Sequence, residues 1–187
     1  MQEMTSEKKF MKKNTQNITY YIKIAVFMAV LIGLDQFTKY LAVLFLKNRD
    51  AVSLIPGVLE LRYLENSGAA FGMLQNQQWI FAILTVVFLI AAIAVFRKTP
   101  KTGRYIPLIL TVSVLVSGAI GNFIDRLAHR YVVDFIYFSI IDFPIFNVAD
   151  IYVTLSVIAL LILIFFHYKE EDFQFLRKKK KENAGEQ

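Results

Sequence analysis

Four aspartates of this 187-residue chain, Asp35, Asp125, Asp134 and Asp150, lie inside or flush against long apolar runs. An ionised side chain is costly there unless it meets a partner or water. Asp134 is flanked by Val132, Val133, Phe135 and Ile136, which solvate a charge poorly, and Asp150 follows sixteen residues later, far enough for the chain to reverse and bring both carboxyls into one site. Within hydrogen-bonding reach of each other, such a pair holds a single proton: the ionised member activates a water and the protonated member polarises a carbonyl. That is hydrolysis of the aspartic type. Plainer readings stand beside it, with Asp134 as an interfacial loop charge and Asp150 as a first-turn carboxylate favoured by the positive end of its helix, capped by Asn147.

Other polar residues cluster around this pair. Asn122 and Arg126 are i,i+4 neighbours and Asn147 and Asp150 are i,i+3 neighbours, so on helices each pair presents two polar groups to one side, and the two pairs can face each other. Asp35 and Lys39, also i,i+4, either neutralise one another or orient the site, and Asp125 beside Arg126 reads as a helix-terminal salt bridge. The chain has no Cys, and its two histidines, His129 and His167, are 38 residues apart, so neither a thiol nucleophile nor a metal site is expected. A Ser–Lys nucleophile fits poorly, because Lys39 is the only Lys within an apolar run and Ser67, Ser117 or Ser139 would have to be brought to it by folding.

The elements that must position these groups are long and apolar. Hydrophobic residues make up 56% of the chain and charged residues 19%, more apolar surface than one water-bounded core of this size can enclose. Ile24 to Leu46 gives roughly 35 Å of helix at the usual rise, slightly more than the hydrocarbon thickness. Trp79 to Phe96 carries no charge, Tyr105 to Ile124 has only Ser, Thr and Asn as polar interruptions, and Ile145 to Phe166 carries one carboxylate, Asp150. The expected architecture is an all-α membrane protein of four transmembrane helices.

Charge sets the orientation. Lys8, Lys9, Lys12, Lys13 and Lys23 precede the first span, and Arg97, Lys98, Lys101 and Arg104 fill the connection between spans two and three, so that face and both termini are expected in the cytoplasm. Residues 1–23 read as a cytoplasmic extension, its first 19 residues disordered, residues 24–166 as the membrane unit, and residues 167–187 as a basic cytoplasmic tail. The tail's Lys178 to Lys181 serves topology and attraction to anionic lipid rather than nucleic acid. Between spans one and two, partial alternation around Val58 to Tyr63, with Pro56 and Gly57 before it and Asn66, Ser67 and Gly68 after it, indicates a small extracytoplasmic β-sheet, with Gly68 and Gly72 permitting close backbone approach. It is either a connector or a platform for substrate.

The blocks DQFTK (Asp35 to Lys39), RYLENSGAAFG (Arg62 to Gly72), GNFIDR (Gly121 to Arg126), VVDF (Val132 to Phe135) and FNVAD (Phe146 to Asp150), in this order and topology, resemble the bacterial lipoprotein signal peptidases, signal peptidase II. The resemblance spans about residues 24 to 166. It implies a four-helix intramembrane aspartic endopeptidase of the bacterial cell membrane that cuts prolipoproteins just before their diacylglyceryl-modified cysteine, with no cofactor and no obligate protein partner. It places the catalytic pair on Asp134 and Asp150, and substrate-holding or dyad-supporting roles on Asp35, Lys39, Asn66, Gly68, Asn122, Arg126 and Asn147. The competing class is a small transporter or channel whose Asp and Arg residues line a permeation path; a purely structural bundle comes third.

Overall fold

The computed structural model describes residues 2–68 and 77–176; Gly72, Arg177 and the Lys178 to Lys181 run lie outside the described residues. Helix α1 runs from Gln2 to Leu46, α2 from Gln78 to Lys98, α3 from Ile106 to His129 and α4 from Val148 to Ile162, continued by a π-helical turn over Leu163–His167. All four contain a segment long and apolar enough to cross a bilayer. The disordered extension expected before the first span is instead helical. Residues 2–23 contain neither Pro nor Gly, so a helix nucleated in the span propagates backwards without interruption.

Helix α3 is the hub of the bundle and packs against α1, α2 and α4. Gly118 and Gly121 explain the close fit: a Cβ at Gly118 would stand 2.6 Å from the Ala149 carbonyl oxygen of α4, and one at Gly121 would collide with the Asp35 carboxylate of α1. The outward faces of α1, α2 and α4 remain apolar and exposed, at Val30, Leu34 and Phe37, at Leu84, Val87 and Ile90, and at Ile158, Leu161 and Ile162. Such faces are at rest in lipid, not water.

At the end of the bundle where α1 finishes, strands β1 (Val52–Ile55), β2 (Leu59–Asn66) and β3 (Val132–Tyr137) form an antiparallel sheet in the order β1-β2-β3. The first two strands are the sheet expected between spans one and two. The third comes from the connection between α3 and α4, and it carries Asp134 opposite Leu64 of β2. Beneath the sheet, Val133 and Phe135 pack on Ala42 and Leu46 of α1, which ties the sheet to the bundle. A second core at the opposite end gathers Ala92, Leu108, Val112, Val116 and Tyr168.

Candidate active site

The first turn of α4 is set by its own sequence. Asn147 is the N-cap: its side-chain oxygen accepts from the Asp150 backbone N–H at 3.0 Å, while the Asp150 Oδ2 accepts from the Asn147 backbone N–H at 3.1 Å. This reciprocal capping box satisfies two otherwise orphaned donors and starts the helix at Val148, three residues later than hydropathy alone suggests. It also leaves the Asn147 amide nitrogen free to reach sideways. That nitrogen donates to Asp134 Oδ1 at 2.6 Å and to Asn122 Oδ1 at 3.1 Å.

Each member of the pair is therefore held by two N–H donors. Asp134 accepts from Asn147 and, at 2.7 Å, from the Asn66 amide at the end of β2; Asp150 accepts from its cap and, at 2.8 Å, from the Asn122 amide on α3. Asn66 is fixed in turn, since its oxygen accepts from the Gly68 N–H at 3.0 Å. Four elements thus converge on two carboxylates, with Asn147 touching both. Burial, and then the nearby Asp150 charge, push the Asp134 carboxyl up to about 7, against the downward pull of the Asn66 and Asn147 amides. A carboxyl held near 7 is suited to exchanging a proton at neutral pH.

Beneath the pair lies a buried ion cluster. Lys39 Nζ is 2.9 Å from Asp35 and 3.0 Å from Asp125, and it donates to Asn122 Oδ1 at 2.9 Å. The ammonium thereby dictates which way round the Asn122 amide sits, oxygen toward Lys39 and nitrogen toward Asp150. Asp35 Oδ1 accepts from the Ala149 N–H at 2.9 Å and anchors the start of α4, while Asp125 Oδ2 accepts from the Val133 N–H at 3.2 Å and anchors β3. The Asp35 and Lys39 charges neutralise one another, as one of the two readings of the pair expects.

Asp125 corrects the sequence reading. It pairs with Lys39, not with Arg126, because adjacent helical residues point roughly 100° apart. Gln36 is a site residue that pattern reading missed: its amide donates to Asp125 Oδ1 at 2.9 Å, the Gly121 carbonyl at 3.1 Å and Asp35 Oδ2 at 3.2 Å. A polar amide inside an apolar run was the available signal. Among the described residues no serine hydroxyl bonds Lys39 Nζ, whose contacts are all to Asp35, Asp125 and Asn122.

Arg126 lies over the Phe81 ring, 4.5 Å from its centroid, and its Nη atoms make long contacts of 3.4 Å to the Asn122 and Gly68 carbonyls. Its Nε is buried with no acceptor among the described residues. Gly68, Asn66, Asn122, Arg126, Asp134 and Asp150 all line one cleft of about 890 Å³, which is walled on its other side by Phe143 to Phe146 and by Ile151, Val153 and Leu155 of α4. A polar floor bearing two carboxylates and a largely apolar wall suit a substrate with a peptide bond to cut and an apolar part to shelter.

Known proteins match this chain in sequence and fold. The family described as signal peptidase (SPase) II matches residues 27–166. A lipoprotein signal peptidase of Streptococcus thermophilus strain CNRZ 1066 is 43% identical over 151 residues, 81% of this chain and 95% of the relative. One from Streptococcus pyogenes serotype M1 is 43% identical over 146 residues, 78% and 93% of the two chains. Two solved structures, each titled a bacterial membrane enzyme structure by the in meso method, superpose with TM-scores of 0.70 and 0.68. The first is 34% identical and covers 85% of this chain and 93% of its own; the second is 36% identical and covers 78% and 94%. The transport reading finds no support among these matches. The chain belongs to the signal peptidase II family, enzymes of the aspartic peptidase class.

Proposed function

We propose that this multi-pass membrane peptidase, which cleaves the signal peptides of lipoproteins, works through Asp134 and Asp150 on substrates that already carry a diacylglyceryl group on the cysteine after the cut. The observation that carries the reading is the paired seating of two carboxylates, one held near pH 7, in a cleft that is polar at its floor and apolar along α4. One carboxylate takes a proton from a bound water as its oxygen attacks the scissile carbonyl carbon, and the protonated partner donates to the carbonyl oxygen. The tetrahedral intermediate then collapses: the C–N bond breaks, the departing nitrogen takes up the proton, and a new carboxyl and a free cysteine amine are released.

Asn66, Asn122 and Asn147 keep the carboxylates in register, so no reorganisation is needed as charge develops. Arg126 Nε, a buried donor without an acceptor among the described residues, is assigned to a carbonyl of the bound peptide. Asp35, Lys39 and Asp125 act one layer below by fixing Asn122, β3 and the start of α4. Residues 24–166 form the catalytic unit, with both termini in the cytoplasm and the dyad toward the outer face, as the basic residues Lys98, Lys101 and Arg104 on the opposite connection indicate.

The test is turnover of a lipidated prolipoprotein by purified Asp134→Asn and Asp150→Asn enzymes in detergent with no membrane gradient. Asn keeps the shape but cannot take up and return a proton, so both variants should remain folded and inactive. Near-normal cleavage by either would refute the pair.

A further inference from the structure

The connection from β3 to α4 exposes more apolar surface than a turn in water should. Ile140 and Ile141 at its tip are 64% and 68% exposed, and Phe138 and Phe143 flank them, also exposed. The turn is nevertheless tied down by its own contacts. Ser139–Ile141 form a 3-10 turn, the Asp142 N–H donates to the Ser139 carbonyl at 3.3 Å and the Phe143 N–H to the Phe138 carbonyl at 3.2 Å. Phe138 and Phe143 both pack on the Phe146 ring, at 5.7 and 5.8 Å, and Phe146 is itself bridged to Ile136 of β3. The one charge of the turn, Asp142, is turned back to accept from the Tyr137 hydroxyl at 2.6 Å. Two backbone N–H groups bonded within the turn, a tethered charge and two exposed isoleucines suit a lipid boundary better than water.

Its depth agrees. The apolar helical segment Val148–His167 has 20 residues, about 30 Å of rise, which fills the hydrocarbon core and leaves Val148 at its edge. The turn ends five residues before Val148, so with that segment spanning the bilayer it falls within reach of the headgroups and upper acyl chains. Trp79, the sole Trp of the chain, is 65% exposed in the first turn of α2 at the same end of the bundle, the position of an interfacial aromatic. Asp142, Phe143, Pro144 and Ile145 line the cleft together with the exposed Leu155 of α4.

We propose that residues 138–143 form a membrane-interface wedge. Ile140 and Ile141 insert among the acyl chains of the leaflet at the dyad end and seat the cleft mouth at the depth of a lipidated substrate's glyceryl group. The insertion stands without the catalytic reading; the seating function rests on it.

Because the chain has no Cys, single cysteines report cleanly. Ile141→Cys and, as a water-side reference, Asp50→Cys are labelled with an environment-sensitive fluorophore in vesicles of phosphatidylcholine and phosphatidylglycerol brominated high on the acyl chain, in both the active and the Asp134→Asn protein. Quenching at position 141 should exceed that at position 50 at least about threefold, as burial of the tip below the headgroups requires. Equal quenching overturns the wedge, whatever the catalytic residues prove to be. An Ile140→Glu/Ile141→Glu enzyme should show a severalfold higher KM for a lipidated substrate in vesicles with kcat nearly unchanged, and no difference on the same lipidated substrate dispersed in detergent. An unchanged KM in vesicles overturns the seating function, and a loss in both vesicles and detergent assigns the turn to structure alone.

Discussion

Asp134 connects pH, stability and the proposed catalysis in one measurable quantity. Its carboxyl titrates near 3.8 when unfolded and at about 7 in the folded protein, raised by burial and by Asp150. The folded chain thus holds a proton that the unfolded chain releases, and the stability this confers is full below pH 3.8 and is lost as pH rises to 7. A rise of that size corresponds to about 4 kcal/mol in total, of which about 2.5 kcal/mol falls between pH 5 and pH 8. Asp134→Asn removes the titration. It also sets an amide N–H₂ against one of the two donors, from Asn66 or Asn147, that now meet carboxylate oxygens, at about 1–3 kcal/mol. That penalty is independent of pH and cancels when the variant is compared with wild type across pH. Thermal unfolding in detergent at pH 5, 6, 7 and 8 should therefore show the variant gaining on wild type as pH rises, by about 5–10 °C in all. A difference that stays flat or narrows over this range would refute the account of a buried, proton-holding Asp134.

Lys39→Met strands the Asp35 and Asp125 carboxylates without a cation and should cost about 3–5 kcal/mol, read as a lowered Tm, whereas Lys39→Arg should retain most of the stability. Gly121→Ala forces a methyl group into the Asp35 carboxylate and should cost about 1–3 kcal/mol in thermal unfolding, an overpacking effect that an Asp35→Asn change in the same chain would not relieve. Asn147→Ala removes the helix cap and the donor shared by Asp134 and Asn122; about 1 kcal/mol of stability and at least a hundredfold in kcat should go, measured on folded enzyme. Arg126→Lys keeps the charge but loses the planar donor fork, so kcat/KM should fall about a hundredfold while Tm moves little.

The four spans and the identity of the chemically able residues were legible in the chain because both rest on local facts. An apolar run of some twenty residues has few destinations, and a carboxylate in such a run demands a partner wherever the chain leads. The cap at Asn147 was legible for the same reason, since its hydrogen bonds close within three residues. Three things required tertiary structure. Asp134 sits on a strand of a sheet whose other two strands come from some seventy residues earlier, and no periodicity in six residues announces that pairing. Asp125 turned from Arg126 to Lys39 because partner choice in a membrane is made between helices, by which faces the small residues Gly118 and Gly121 bring together. Side-chain chemistry and helix length are properties of short stretches. Which oxygen faces which amide, and how far burial lifts a carboxyl, are properties of four elements meeting at one point, and only the folded chain contains that point.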